Sequence, residues 1–289
     1  GESWTNVRGR VKGLPELAWI SKIHASEHDA GTAFVTVDHH RSDDYQPYVF
    51  VTTDYGNSWK SLAEGLPQDD YVKVVRQDPR NPDLLYAGME HGIFASLDRG
   101  ETWVSIANNL PPVSVRDIRV HPREGDLVIG THGRGAWILD DIRPLQDWAG
   151  TKDASEFLFP VRDATRWYMH GRLEAQGTRR YRAANPEYGA YINLYVAEAL
   201  AEPASITIRD AAGKTVRVLD EIELEQGINR IVWDLRHDAA TPLDNPPSTG
   251  WRSGAMHVFA APGDYTAVAD VNGRTLQADF SVKADHRFE

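Results

Sequence analysis

The chain has 289 residues, of which 41% are apolar, 25% charged and 10% aromatic, a composition typical of folded globular proteins and not of disordered ones. Forty-two acidic against 31 basic residues give a formal net charge of −11, which argues against a nucleic acid or an anionic membrane as the main partner. The sequence contains no cysteine, so disulfides, thiol nucleophiles and cysteine-ligated zinc are excluded.

An eight-residue pattern, S/T-x-D-x-G-x-S/T-W, occurs twice in the first half of the chain. The copies are Thr52–Trp59 and Ser96–Trp103, and the chain opens on the end of a third copy, Gly1-Glu2-Ser3-Trp4. In a tight turn the aspartate accepts backbone N–H groups, the glycine supplies a positive φ, and the tryptophan re-enters a strand and packs on the neighbouring sheet. This chemistry predicts structural roles for Asp54, Gly56, Trp59, Asp98, Gly100 and Trp103.

Repeats of roughly 40 to 50 residues with four strand-like segments are typical of propeller blades. The sequence therefore predicts an all-β fold that begins with a partial β-propeller of about three four-stranded blades. Blade one runs from Ala18 through Trp59, blade two from Tyr71 through Trp103, and blade three begins at Val115, with Asp140-Asp141 in place of a full third pattern. Three blades do not close a ring. We therefore expect missing N-terminal propeller blades or a partner chain to complete the ring.

The second half of the chain is predicted to form an immunoglobulin-like β-sandwich. Alternating runs return from Tyr191 onward, and an Asn-Gly pair between such runs is a strong hairpin signal. The turns that separate the runs are Ala212-Gly213, Gln226-Gly227, Pro262-Gly263 and Asn272-Gly273. The predicted domains are residues 1–148 for the propeller blades, 149–185 for a crossover with Phe157-Leu158-Phe159 as a candidate outer strand, and 186–289 for the sandwich. Asp244–Arg252 is predicted to be a loop.

The repeated pattern resembles the Asp-box, or BNR, repeat of sialidases, xyloglucan-cleaving propeller hydrolases and sortilin-type receptors. The closer resemblance is to large bacterial sortilin-like or BNR-repeat glycosyl hydrolase-like proteins, and it is carried by Val37–Tyr48, Leu84–Gly88 and Gly130–Asp141. Three segments, Asp210–Lys214, Gly227–Asp234 and Ala261–Thr266, together resemble the immunoglobulin-like domain that ends bacterial exported proteins, including the sortilin-like group. The resemblance implies an extracytoplasmic protein, periplasmic or secreted, although Gly1–Trp4 contain no signal-peptide pattern. Sortilin receptors differ, because their propeller is followed by a cysteine-rich module.

Candidate ligand-binding residues lie in the hairpins between the second and third strands of each blade. These hairpins occupy equivalent places, so their side chains are expected to gather at one end of the central channel. The candidates are Asp38, His40, Asp43, Asp44, Glu90, His91, His132 and Arg134, together with Asp69 and Asp70 in the connection that enters blade two. Such a group suits a Ca²⁺ or other divalent metal, an anion, a sugar, or general acid–base chemistry. His132 and Arg134 are the strongest candidates, because the adjacent glycines allow close backbone approach. The alternative is that all of these residues simply belong to solvent-exposed turns.

The function that follows is an extracytoplasmic binding protein whose funnel face recognises a peptide or a glycan. A BNR-type glycoside hydrolase or metal-assisted hydrolase acting at the same face is the alternative. The sequence leaves catalysis undecided, because it singles out no carboxylate pair, and Arg134 with Arg76 or Arg119 does not form an identifiable sialidase arginine triad. No cofactor motif is identified. A third hypothesis, that the chain completes the ring of another chain, predicts an exposed apolar flank on blade one.

Overall fold

Residues 4–168, 185–238 and 258–288 are described by the computed structural model. They form two compact units, Gly1–Trp148 and Ala149–Glu289. Their regular secondary structure consists mainly of short strands, nearly all of them paired antiparallel, and the described helical segments have three or four residues. None of these helices is long and apolar enough to cross a membrane. Gly1-Glu2-Ser3 of the opening pattern and the predicted loop Asp244–Arg252 lie outside the described residues.

The first unit contains three antiparallel sheets whose strands follow the chain order. The first sheet has β1 (Trp19–Ala25), β2 (Ala33–Asp38), β3 (Tyr48–Thr52) and β4 (Lys60–Ser61). The second has β5 (Val72–Gln77), β6 (Leu85–Met89), β7 (Ile93–Ser96) and β8 (Val104–Ser105). The third has β9 (Val115–Val120), β10 (Leu127–Thr131) and β11 (Ala136–Leu139).

The third sheet differs from the predicted four-stranded blade. After β11 the chain turns at Asp140-Asp141, where Asp141 has a φ of +53°. It then enters the short helix α1 (Arg143–Gln146), so β11 has no outer strand paired with it among the described residues. Pro144 suits the first turn of a helix and would not suit a strand interior.

The three sheets repeat one register. The first strand of each sheet carries an irregularity at the same place, so that one residue is bulged out of the ladder: Ser21, Lys73 and Arg116. Aligning these residues makes Asp38, Glu90 and His132 equivalent to one another. The Glu90 N–H donates to Tyr71 O and the His132 N–H to Ser114 O. The first strands β1, β5 and β9 lie next to one another along a shared edge of the unit.

The two copies of the eight-residue pattern form turns with the same hydrogen bonds. In the first, Ser58 donates its N–H and Oγ to the Asp54 carboxylate at 2.8 and 2.6 Å. In the second, Thr102 donates in the same way to Asp98 at 2.8 and 2.6 Å. Gly56 and Gly100 have φ angles of +81° and +89°, which favour glycine. We call these two segments, Thr52–Trp59 and Ser96–Trp103, the aspartate turns.

Apolar cores between neighbouring sheets hold the first unit together. Trp103 is buried between the first and second sheets with Phe34 and Leu62, and its Nε1 donates to Leu62 O at 2.9 Å. Trp59 is half-buried against residues of its own sheet and of the segment before β1, among them Val11 and Leu14. Its Nε1 is buried and has no hydrogen-bond partner among the described residues.

The second unit consists of two sheets around one apolar core. A three-stranded sheet contains β12 (Glu156–Leu158), β14 (Ala190–Val196) and β17 (Gly227–Trp233). A five-stranded sheet contains β13 (Ala164–Arg166), β19 (Arg274–Ala284), β18 (Gly263–Val271), β15 (Ala204–Asp210) and β16 (Thr215–Ile222). The core includes Trp233 and Ile192 from one sheet and Ile206 and Phe280 from the other. The described part of the predicted crossover thus contributes β12 to one sheet and β13 to the other, while residues 169–184 lie outside the described part of the chain.

Candidate functional site

The hairpins between second and third strands meet the starts of β1, β5 and β9 at one end of the first unit. Asp38 of the first sheet accepts a hydrogen bond from Lys73 Nζ of the second sheet at 2.6 Å, and also from His40 Nδ1. Lys73 is only 6% exposed. Burial alone would raise the pKa of Asp38, but the hydrogen bonds from Lys73 and His40 hold that pKa below its usual value. Asp38 therefore stays ionised at neutral pH, and its hydrogen bond with Lys73 joins two sheets.

Tyr71 connects this ion pair to the next hairpin. Lys73 Nζ lies 4.0 Å from the centroid of the Tyr71 ring, and the His40 ring stacks on Tyr71 with centroids 4.7 Å apart. The Tyr71 hydroxyl donates to the Glu90 carboxylate. Burial, followed by this hydrogen bond, raises the pKa of Tyr71, so the phenol is neutral at physiological pH.

Glu90 in turn reaches the third sheet. Ser114 Oγ donates to Glu90 Oε2 at 2.8 Å, and Arg116 Nη2 lies 3.9 Å from the same oxygen. Although burial would raise it, the pKa of Glu90 is lowered by the hydrogen bonds from Ser114 and Tyr71 and by nearby cations. The resulting set is called the three-sheet network: Asp38, His40, Tyr71, Lys73, Glu90, Ser114 and Arg116.

The other candidate residues of the first two sheets lie outside the three-sheet network. Asp70 is buried and binds His91 through the His91 N–H (3.1 Å) and Nδ1 (3.0 Å). Asp44 accepts from the Tyr48 hydroxyl at 2.9 Å and the Gln46 N–H at 3.1 Å, which orders its own loop. Asp43 and Asp69 are exposed. Of these side chains, only the His91 imidazole combines a fixed position with substantial exposure.

His132 and Arg134 lie at the exposed tip of the third hairpin. Their backbone is held, because the His132 N–H donates to Ser114 O at 2.8 Å and Trp137 Nε1 donates to Arg134 O at 3.1 Å. Within the described residues, no side-chain hydrogen bond or ion pair joins these two residues to the three-sheet network. Their role in binding a ligand remains a prediction.

Sequence reasoning did not identify Tyr71, Lys73, Ser114 and Arg116 as parts of the site. A signal was present, because Lys73 and Arg116 interrupt apolar runs, Val72-Lys73-Val74 and Val115-Arg116-Asp117-Ile118. Aligning the repeats places both cations at the bulged position. A bulge turns one side chain away from the ladder, and charged residues are tolerated there within an otherwise buried strand.

Aromatic side chains border the network on its exposed side. Tyr45 is 47% exposed and tilts toward Tyr71 with centroids 6.2 Å apart. Trp19, which pairs with Asp38 across β1 and β2, is exposed, and the Arg41 guanidinium lies 5.1 Å from the centroid of its ring. Flat aromatic surfaces beside fixed polar groups are typical of sites that recognise sugars or peptides.

No group of three or more His, Asp or Glu side chains among the described residues is placed to hold a metal ion. The carboxylates of the three-sheet network are instead paired with a lysine, an arginine and hydroxyl groups of the chain itself.

Comparison with known proteins gives structural similarity without a sequence family. No protein-family model matches the chain, and no curated protein matches it. Among solved structures it is similar to PorZ, a surface component of the type-IX secretion system of Porphyromonas gingivalis, with 12% identity over 91% of this chain and 30% of PorZ and a TM-score of 0.32. It is also similar to the extracellular domain of a putative hybrid two-component system from B. thetaiotaomicron. The identity is 12% over 93% of this chain and 31% of that structure, and the TM-score is 0.31.

A GH74 xyloglucanase from Xanthomonas campestris is similar at 11% identity, over 90% of this chain and 38% of the enzyme, with a TM-score of 0.31. The chain thus spans about a third of the length of these three structures.

Proposed function

We propose that the hairpin end of the first unit is a non-catalytic binding surface for a glycan or a peptide. The observation that carries this proposal is the three-sheet network, whose charges are satisfied internally while Tyr45, Trp19 and His91 remain exposed beside it. A binding surface needs rigid polar and aromatic groups that do not rearrange when the ligand arrives. Bonds across two sheet boundaries supply that rigidity.

The pKa directions favour binding over hydrolysis. A glycoside hydrolase needs one carboxyl group that stays protonated near neutral pH, which requires a raised pKa. Asp38 and Glu90, the two carboxylates at the centre of the network, both have lowered pKa values. The alternative of a BNR-type glycoside hydrolase that uses these two carboxylates therefore has less support than a binding role.

The resemblance of the repeats supports the rest of the proposal. We infer that the aspartate turns are Asp-boxes of a BNR-type propeller, and that the protein acts outside the cytoplasm. We also infer that the second unit is immunoglobulin-like. In support, the Tyr265 hydroxyl donates to Ala261 O at 2.6 Å, a tyrosine-to-upstream-backbone bond that immunoglobulin-type sandwiches share.

The free flank of the first sheet supports a further sheet of the same repeat as partner. Ile20 and Ile23 of β1 are 43% and 66% exposed, whereas the equivalent residues of the other sheets are fully buried. Those residues are Val72, Val75, Val115 and Ile118. We propose that propeller blades preceding β1, or a partner chain, cover this flank.

Peptide and glycan arrays probed with the chain and with single variants test the binding proposal. Tyr45→Ala removes an exposed ring beside the network, and we expect retention of the ligand to fall strongly while the melting temperature hardly changes. Tyr55→Ala is the matched control, because Tyr55 is also exposed but belongs to an aspartate turn at the other end of the sheet. The double variant His132→Ala/Arg134→Ala is expected to lose retention as well, because the third hairpin belongs to the same proposed surface. Equal retention by Tyr45→Ala and Tyr55→Ala would contradict the proposal.

A further inference from the structure

A positively charged cluster lies on the shared edge of the first strands. Lys22 of β1, Arg76 of β5 and Arg119 of β9 all approach one carboxylate, Asp117. Lys22 Nζ and Arg76 Nη2 lie 3.3 and 2.9 Å from its Oδ1, and Arg119 Nε lies 3.8 Å from its Oδ2. Three cations and the Asp117 carboxylate leave a formal charge of three minus one, or +2, which falls to +1 when the nearby Glu27 carboxylate is included, in a chain whose net charge is −11.

The state of Asp117 supports this charge count. Burial would raise its pKa, but Lys22 and Arg76 hold the pKa below its usual value. Asp117 is therefore ionised, and it already balances one of the three cations. A structural ion pair needs a single cation for each carboxylate, so the two further cations add mutual repulsion unless another anion is present.

The donors around Asp117 outnumber the acceptors. Arg76 is nearly buried and is fixed by a second bond from its Nε to Ile118 O at 3.2 Å. Arg119, by contrast, has a side chain that is 71% exposed, and its guanidinium carries five N–H donors in a planar fork. Lys22 contributes three N–H donors and is partly exposed. This arrangement is one fixed cation with two accessible cations beside it.

His24 adds an uncharged polar group to the same strand face. It lies two residues from Lys22, so both side chains point to the same side of β1. Its Nε2 is buried without a hydrogen-bond partner among the described residues. Burial, then the charges of Arg76 and Arg119, lower the pKa of His24, while Glu27 acts in the opposite direction. The imidazole is therefore neutral at neutral pH.

We propose that Lys22, Arg76 and Arg119 form a binding site for an oxyanion, either a carboxylate or a sulfate. The anion binds beside Asp117 and neutralises the positive charge that Asp117 alone does not balance. Guanidinium groups bind such anions through paired, charge-assisted hydrogen bonds. The inference goes beyond the proposed function, because these residues lie within the first strands and not in the hairpins that form the proposed glycan or peptide surface. The site itself is expected to bind a free anion.

Isothermal titration calorimetry of the chain with sodium sulfate and with sodium acetate, at constant ionic strength, tests the site. We expect binding of at least one of these anions, with Arg119→Gln weakening it about tenfold or more. Arg123→Gln is the matched control, because Arg123 is similarly exposed on the third sheet's β9–β10 turn and pairs with Glu124. Binding of sulfate alone would indicate a tetrahedral anion, and binding of acetate a carboxylate. Binding of neither anion, or equal binding by both variants, would overturn the proposal.

Asp117→Asn is expected to change the anion affinity in the opposite direction to Arg119→Gln. Removing the competing carboxylate is expected to tighten anion binding and to lower the melting temperature when no anion is present, with the bound anion then restoring that temperature. A purely structural cluster would lose stability in Asp117→Asn without any anion-specific recovery, and that result would overturn the proposal. Because both readouts use free inorganic or acetate ions, they are independent of peptide or glycan retention.

Discussion

At the scale of single residues, the same contact is made twice between neighbouring sheets. A cation at the bulged position of one sheet approaches a carboxylate at the end of the second strand of the sheet before it. Lys73 approaches Asp38 at 2.6 Å and Arg116 approaches Glu90 at 3.9 Å. The repetition indicates that these charges position the hairpins, while the exposed residues next to them are left to contact a ligand.

Lys73→Met tests this positioning role. Removing a nearly buried ammonium leaves the Asp38 carboxylate without its main partner, so we expect the free energy of unfolding to fall by about 2 to 3 kcal/mol. Lys283→Met is the control, because Lys283 and Asp163 form a pair of similar length, 2.8 Å, that is exposed. That variant should lose less than about 1 kcal/mol. Urea unfolding measures both values, and equal losses would contradict the role assigned to Lys73.

The aspartate turns make a residue-scale prediction about pH. Hydrogen bonds from Ser58 lower the pKa of Asp54 from its ordinary 3.8 to about 2. Between these two values the unfolded chain binds more protons than the folded chain. The stability that Asp54 contributes is therefore present above its ordinary pKa and is lost as the pH falls toward 2. A ¹³C NMR titration of the Asp54 carboxyl group checks this prediction, and titration near 3.8 would contradict it.

At the scale of elements, the two tryptophans of the aspartate turns are expected to differ in importance. Trp103 is buried between two sheets and its indole donates to Leu62 O, so Trp103→Ala should cost about 3 to 5 kcal/mol. Trp59→Ala should cost clearly less, because Trp59 is half-buried and its indole N–H has no partner within the described chain. Chemical denaturation of the two variants compares them. A larger loss for Trp59→Ala would contradict this view of the sheet boundaries.

Some elements and site residues were predictable from the sequence alone, and others were not. The aspartate turns were predictable, because their Asp, Gly and hydroxyl residues each have a fixed geometric task. The strand β12 overlaps the candidate strand Phe157-Leu158-Phe159 that the sequence offered. The three-residue strand β13 was not predictable, since alternation becomes a signal only over four or more residues. Lys73 and Arg116 were missed as site residues because a bulge breaks the alternation that reveals which side chains share a face. Asp38 and Glu90 could be placed together, because the repeat itself aligns them.

At the scale of the whole molecule, the exposed flank of β1 is expected to drive self-association of the chain when nothing else covers it. Ile23→Glu places a charge on that flank, so we expect it to reduce association relative to the unaltered chain. Val218→Glu is the control, because Val218 is an exposed apolar residue on β16 of the second unit. Sedimentation velocity over a range of concentrations measures the association. A chain that stays monomeric throughout, or equal effects of both variants, would contradict the flank as an assembly surface.

The central claim is that the hairpin ends of the three sheets form one binding face, and that the aspartate turns at the opposite ends do not take part in binding. Hydrogen–deuterium exchange with and without a retained glycan or peptide tests it most directly. We expect increased protection in residues 39–47, 90–92 and 132–135, with residues 54–58 and 98–102 unchanged. Protection confined to the aspartate turns, or to the second unit, would contradict the claim.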